Sequence, residues 1–153
     1  MRVPTWVKTT AVVSLAAAAG TWAAQPGQAW YRRLDKPAWQ PPPAAFPIVW
    51  TGLYALLALA GARAFDATPA SQRPALRRSY AANLALNAGW TAVFFRARRP
   101  GAALIEIAAL NASNVDLLRR AWRADRLAGA ALAPYVAWTA FATALNADIA
   151  RRN

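Results

Sequence analysis

The amino-acid sequence predicts an all-α membrane protein, a single bundle of five transmembrane helices. Three observations predict it: long stretches almost free of charge, basic residues gathered at the ends of those stretches, and tryptophans and prolines at the boundaries between them. The 153 residues suit one domain. Apolar residues make up 58% of the chain, yet many are alanine and the mean hydropathy is only modestly positive, so arrangement decides the class, not composition. Soluble amphipathic helices spread their charges along one face, and this chain does not.

The formal charge of +12 comes from 18 lysines and arginines against 6 acids, which first suggests nucleic acid. The basic residues instead fall in short groups, such as Arg32, Arg33 and Lys36, or Arg119, Arg120, Arg123 and Arg126. Long basic side chains so placed snorkel to lipid phosphates, so the expected partner is membrane lipid and not nucleic acid. The chain has no cysteine and no histidine. Thiolate chemistry is excluded, haem ligation and zinc catalysis lose their usual ligand, and no metal or cofactor is expected.

A helix needs roughly 20 apolar residues to cross the bilayer core, and five stretches come close. The first, about residues 3–24, carries only Lys8 as a charge. Arg2, Lys8 and the small residues Ala23 and Ala24 would also suit a secretory signal, but Trp6 and Trp22 bracket the stretch as interfacial anchors do, which favours a retained helix. Residues 25–45 follow as a loop with Pro26, Pro37, Pro41, Pro42 and Pro43. Proline has no backbone donor, so this segment cannot span and must lie at or above the interface, and its length suggests a lid. The second helix is placed at 46–65, a polar linker at 66–78, the third helix at 79–95, a basic turn at 96–101, the fourth helix at 102–118 and the fifth, with Pro134 inside it, at 127–150. The fourth carries Glu106, Asn111, Asn114 and Asp116, so its polar face must be shielded by neighbours or line a cavity. Asp116 and Asp148 have arginines three and four positions on, within reach of local ion pairs near a membrane surface. Glu106 lies in the first turns of its helix, where the dipole favours a carboxylate. Basic residues lean slightly to a cytoplasmic N-terminus.

Further residues point to a family. The run Trp30-Tyr31-Arg32-Arg33-Leu34-Asp35-Lys36-Pro37, then Pro41-Pro42, then Phe46-Pro47-Ile48-Val49-Trp50 with Leu53-Tyr54, resembles the signature of the tryptophan-rich sensory proteins, also called the translocator or peripheral benzodiazepine receptor family. Leu86-Asn87 with Trp90 and Phe94-Phe95, and Pro134-Tyr135 with Trp138, Phe141-Ala142 and Leu145-Asn146, agree with it. The resemblance covers nearly the whole chain. It implies five transmembrane helices, a homodimer, a bacterial cell-membrane location and a pocket closed by the first loop. It further implies binding of porphyrins such as protoporphyrin IX, and in some members sterols or drug-like ligands, with light-dependent porphyrin breakdown also proposed for the family. At the C-terminus this chain departs from the sterol consensus, because Leu145-Asn146-Ala147-Asp148-Ile149-Ala150-Arg151 lacks the tyrosine. The reversed consensus at Arg78-Ser79-Tyr80 to Leu84 is a weak pattern, so sterol is not an expected partner.

Helical spacing offers a separate view of the pocket. The third helix sets Tyr80, Asn83, Asn87, Trp90 and Phe94 in one sector and Ala81, Ala85, Ala88, Gly89 and Ala92 opposite. The first face suits either a flat ligand with polar edges or asparagines bridging helices, and spacing alone leaves the two level; the resemblance favours ligand contact. The small face admits a close helix contact, and Ala81, Ala85, Gly89 and Ala92 are the expected homodimer surface. Phe46, Trp50 and Tyr54 share a face of the second helix, and Tyr135, Trp138 and Ala142 one of the fifth. An interfacial belt would account for Trp6, Trp22, Trp30 and Trp122, but poorly for Trp90 and Trp138, which lie inside their helices. The expected ligand-binding residues are therefore Trp30, Tyr31, Trp39, Trp50, Tyr54, Asn83, Asn87, Trp90, Trp138 and Ala142. No Ser-His-Asp set, cysteine nucleophile or metal cluster is available for ordinary catalysis. Photochemistry carried by a bound porphyrin, with Trp50 and Trp138 as electron donors, is the one enzymatic route, and transport is the other alternative to a sensory role.

Overall fold

Each of the five long helices starts where the sequence supplies a proline or a capping carboxylate. A first helical turn has backbone donors without partners, so proline loses nothing there and an acceptor side chain gains a bond. In the computed structural model, which describes residues 3–153, α1 (Thr5–Ala24) follows Pro4. A 3-10 turn at Gln25–Gly27 leads into the short helix α2 (Gln28–Arg33). Helix α3 (Ala45–Ala67) has Pro47 in its first turn, α4 (Arg73–Thr91) has Pro74, and α5 (Pro100–Ala124) begins on Pro100 itself. The last, α6 (Arg126–Arg152), is capped by Asp125, whose carboxylate accepts from the Ala128 N–H at 2.9 Å. Arg2, one of the charges that suits a leader, lies outside the described residues.

The ends differ from the expected ones in an informative way. Helix α4 begins at Arg73, not Ser79, leaving only 68–72 as linker, and α5 runs on to Ala124, past Leu118, so that Asp125 alone separates it from α6. Arginine, alanine and leucine are good helix formers, and Arg73–Arg78 and Arg119–Arg123 carry their helices out of the apolar layer. Hydropathy marks where lipid ends, which is not where hydrogen bonding ends. The loop at 25–45 is partly helical for the same reason, its first nine residues forming the 3-10 turn and α2.

The long helices close a ring in which α1 packs on α3, α3 on α6, α6 on α5, α5 on α4 and α4 back on α1. Inside it an apolar cluster joins Leu53 and Leu57 of α3, Leu76, Tyr80 and Leu84 of α4, Leu117 of α5, and Leu132 and Tyr135 of α6. A second cluster, around Phe94, Ala103, Leu145 and Ile149, lies at the end where α1 and α6 finish. The outward surface is also apolar: Leu15, Ile48 and Ile105 are 70%, 73% and 77% exposed. Water would penalise such a surface and lipid does not. Helices α3, α5 and α6 are each long and apolar enough to cross a bilayer. The chain is an integral membrane protein built as an all-α bundle.

Helix α4 finishes in a π turn, Ala92–Arg96, with the Ala97 N–H bonded to the Ala92 carbonyl at 2.9 Å. With Arg73–Arg78 outside the apolar layer, residues 79–91 rise only about 20 Å, and the π turn carries α4 further across a bilayer core of roughly 30 Å. Phe94 and Phe95, inside this turn, both meet Trp90, at 5.3 and 6.2 Å between ring centroids.

Candidate ligand-binding site

The segment between α1 and α3 is held down at three places. Its root is Gly27, packed so tightly on the Phe95 backbone that a β-carbon would collide with the Phe95 carbonyl. Arg98, in the left-handed region at φ 56°, turns the chain beyond the π turn and donates to the Pro26 carbonyl at 3.3 Å. Its middle is tied to the last residue: the Asp35 N–H donates to Asn153 Oδ1 at 3.0 Å and Asn153 Nδ2 donates to the Asp35 carbonyl at 2.9 Å. Arg152 adds an ion pair to Asp35 at 3.7 Å. Beyond that point Trp39 meets Phe141 of α6 edge to face, centroids 5.7 Å apart. Lys36 organises the segment internally, donating from Nζ to the carbonyls of Tyr31, Arg32 and Leu34 at 3.0, 3.2 and 2.8 Å, at the end of α2 where carbonyls run short of backbone donors. The Tyr31 hydroxyl donates to Gln40 Oε1 at 2.8 Å, and burial pushes its pKa up to about 12.

Beneath this cover lie two groups of rings. Trp30 and Tyr31 rest edge-on against Phe94, which tilts onto Trp90 at 5.3 Å. On the other side Phe46 of α3 meets Trp138 of α6 at 6.0 Å, and Trp138 tilts onto Phe141 at 5.1 Å. Trp50 sits one turn deeper, 5.3 Å from Tyr54 and 6.4 Å from Tyr135. Of the expected residues, Trp39, Trp50, Tyr54 and Trp138 thus gather between the cover, α3 and α6, while Trp30, Tyr31 and Trp90 gather on α4. Ala142 is half-buried next to Phe141.

The amides face inward. Asn83 donates to Ser113 Oγ at 3.2 Å and to Asn114 Oδ1 at 2.7 Å, and accepts from the Tyr135 hydroxyl at 3.0 Å. Asn87 accepts from the Tyr54 hydroxyl at 2.8 Å and donates to the Tyr135 oxygen at 3.2 Å. Asn114 continues the chain to Thr139 Oγ1 at 2.7 Å. Four helices, α3, α4, α5 and α6, are joined through these neutral groups. Among the described residues no buried side-chain nitrogen or oxygen lacks a partner. At the covered end Trp90 Nε1 donates to Asn146 Oδ1 at 2.9 Å, and Asn146 Nδ2 to the Pro100 carbonyl at 2.8 Å. Asn146 stands in one of the family-like blocks, but Ser113, Asn114, Thr139 and Asn153 entered no expected site. The polarity of the fourth predicted helix is the one signal for Ser113 and Asn114, and Thr139 and Asn153 have none.

The small stripe of α4 is divided. Ala81 and Ala85 are exposed, and Ala92 is half-buried in the π turn. At Gly89 a β-carbon would lie 2.7 Å from Glu106 Oε1, so the carboxylate of α5 uses the space the glycine leaves.

The sequence profile of the TspO/MBR family matches residues 9–152. The chain is 37% identical to the "Tryptophan-rich sensory protein" of Cereibacter sphaeroides over 124 residues, 81% of this chain and 77% of that one. It is 33% identical to "Protein CrtK" of Rhodobacter capsulatus over 142 residues, 92% and 89% of the two chains. The human "Translocator protein" is 32% identical over 129 residues, 83% of this chain and 76% of its own.

Proposed function

The chain belongs to the TspO/MBR family of sensory and translocator membrane proteins, and from that premise we propose that it binds a porphyrin beneath the segment 25–44 and acts as a sensor or regulator of such ligands. The observation that carries the reading is the aromatic lining: rings from the covering segment, α3, α4 and α6 converge on one end of the bundle. Flat conjugated ligands are held by dispersion and offset stacking on such rings, each pair adding roughly 0.5–1.5 kcal/mol beyond area burial. Asn83 and Asn87 support the site from behind, since their bonds go to other helices. The ligand's carboxylates would stay at headgroup level, beside the exposed Arg32 and Arg33.

The test is protoporphyrin IX binding, read by quenching of tryptophan fluorescence. Trp138→Ala should weaken affinity on the order of ten-fold, the loss of one strong aromatic contact, and more than Asn87→Ala does in a variant that stays folded. Unchanged affinity in folded Trp138→Ala would place the site elsewhere. Trp50→Phe and Trp138→Phe address the photochemical alternative, because phenylalanine keeps a stacking face but is a poor electron donor. Binding retained with loss of light-driven porphyrin consumption would favour that reading.

A further inference from the structure

We propose that a groove between α1, α3 and α4, at the end of the bundle remote from the covering segment, holds one anionic glycerophospholipid. Its volume is about 500 Å³, within the roughly 300–1,000 Å³ of small-ligand sites. Lys8, Asp66, Arg73 and Arg77 stand at its mouth, and Val12, Phe65, Ala81 and Leu84 form its apolar wall. The order along the helices matters. Val12 lies one turn below Lys8, and Leu84 about 10 Å below Arg77, so polarity falls with depth as it does along a lipid molecule.

Charge selects the occupant. Three basic residues face one acid at the mouth, and they are less committed than their neighbours. Arg63 and Arg120 are paired with Asp125 and Asp116 at 2.8 Å each, whereas among the described residues Lys8, Arg73 and Arg77 form no ion pair. Arg73 spends only its Nε, on the Thr68 carbonyl at 3.0 Å. Arg73 and Arg77 also stand in the first turns of α4, which contain no acid. There the helix dipole adds to their positive potential, and an anion relieves both. A second copy of this chain fits less well, because a two-fold axis through the groove would set two positive mouths against each other. A porphyrin fits less well too, since the two aromatic rings that line the groove, Phe65 and Tyr80, are already packed edge-on against each other at 5.7 Å.

Native mass spectrometry of the full chain, with palmitoyl-oleoyl phosphatidylglycerol or phosphatidylcholine added in matched amounts, tests this. One phosphatidylglycerol adduct should survive activation that strips phosphatidylcholine. Lys8→Gln/Arg77→Gln should lower its retention on the order of five-fold per charge removed, and Ala81→Trp, which fills the groove without altering charge, should do likewise. Arg119→Gln/Arg123→Gln, on the same side of the bundle and outside the groove, should leave it intact. Equal retention of the two lipids, or full retention in both groove variants, overturns the proposal. So does displacement of the lipid by inorganic phosphate, which would mean a bare anion site, or by protoporphyrin IX. Loss of a dimer in Ala81→Trp with lipid retention unchanged would make the groove a contact between copies and overturn it equally.

Discussion

Replacing Tyr135 by phenylalanine removes one oxygen from a fully buried ring and breaks two hydrogen bonds at once. The hydroxyl donates to Asn83 Oδ1 at 3.0 Å and accepts from Asn87 Nδ2 at 3.2 Å. Asn83 keeps Ser113 and Asn114, but its carbonyl oxygen loses its donor; Asn87 keeps Tyr54, but its amide N–H loses its acceptor. Interhelical hydrogen bonds in membrane proteins average about 0.6 kcal/mol, and a buried polar atom left unpaired costs about 1–3 kcal/mol. With partial relaxation, the two stranded atoms should cost roughly 1–3 kcal/mol in total. At 2–4 °C per kcal/mol for a chain of about this size, Tyr135→Phe should lower the midpoint of thermal unfolding in detergent by several degrees. Circular dichroism follows it. Tyr54→Phe strands one atom of Asn87 and should cost about half as much, and the double variant should lose less than the sum, because both hydroxyls serve the same amide. A Tyr135→Phe protein as stable as the parent would refute the claim that this network holds the helices together.

Other outcomes follow from the same geometry. At Gly61 a β-carbon would lie 2.6 Å from the Tyr80 hydroxyl, which donates to the Leu57 carbonyl; Gly61→Ala should cost about 1–3 kcal/mol, seen as a lower unfolding midpoint, while Gly52→Ala, facing open space, should be neutral or stabilising. Gly27→Ala should lift the root of the covering segment off Phe95 and speed proteolysis between residues 25 and 44, with the helices intact by circular dichroism. In the parent protein, bound protoporphyrin IX should slow that cleavage, and equal rates with and without it would argue against a lid. The hydrogen bonds from Arg63, then that from the Ala128 N–H, hold the Asp125 carboxyl below the usual carboxylate range. A depressed folded-state pKa contributes stability above the unfolded value, near 4, that is lost as pH falls through the folded value. The unfolding midpoint should therefore drop below about pH 4, and Asp125→Asn should flatten that part of the profile.

The five helices could be read from the sequence because lipid imposes length and apolarity together, and Phe46–Phe65 meets both without ambiguity. Their ends could not, since Arg73–Arg78 and Arg119–Arg123 are polar and helical at once. The π turn leaves no trace in periodicity, although two adjacent phenylalanines at its centre are a hint in hindsight. At the candidate site the residue types were visible and their partners were not. Spacing put Asn83 and Asn87 on one face and left ligand contact level with bridging, and only the approach of Tyr54, Asn114 and Tyr135 from three other helices gives the amides their bridging bonds. Asn153 shows the limit from the other side: a terminal amide carries no pattern, and its bond to Asp35 spans 118 positions.

The network that joins α3, α4, α5 and α6 is made of amides and alcohols and carries no formal charge. A charge moved across the membrane exchanges about 2.3 kcal/mol with each 100 mV of transmembrane potential, and rearranging neutral dipoles exchanges far less. Opening or tightening this interior should thus be nearly blind to voltage. For the proposed porphyrin ligand, any voltage dependence of uptake would report the depth reached by its own carboxylates, so a patch-clamped or ion-gradient-polarised vesicle would serve as a ruler for how far they descend.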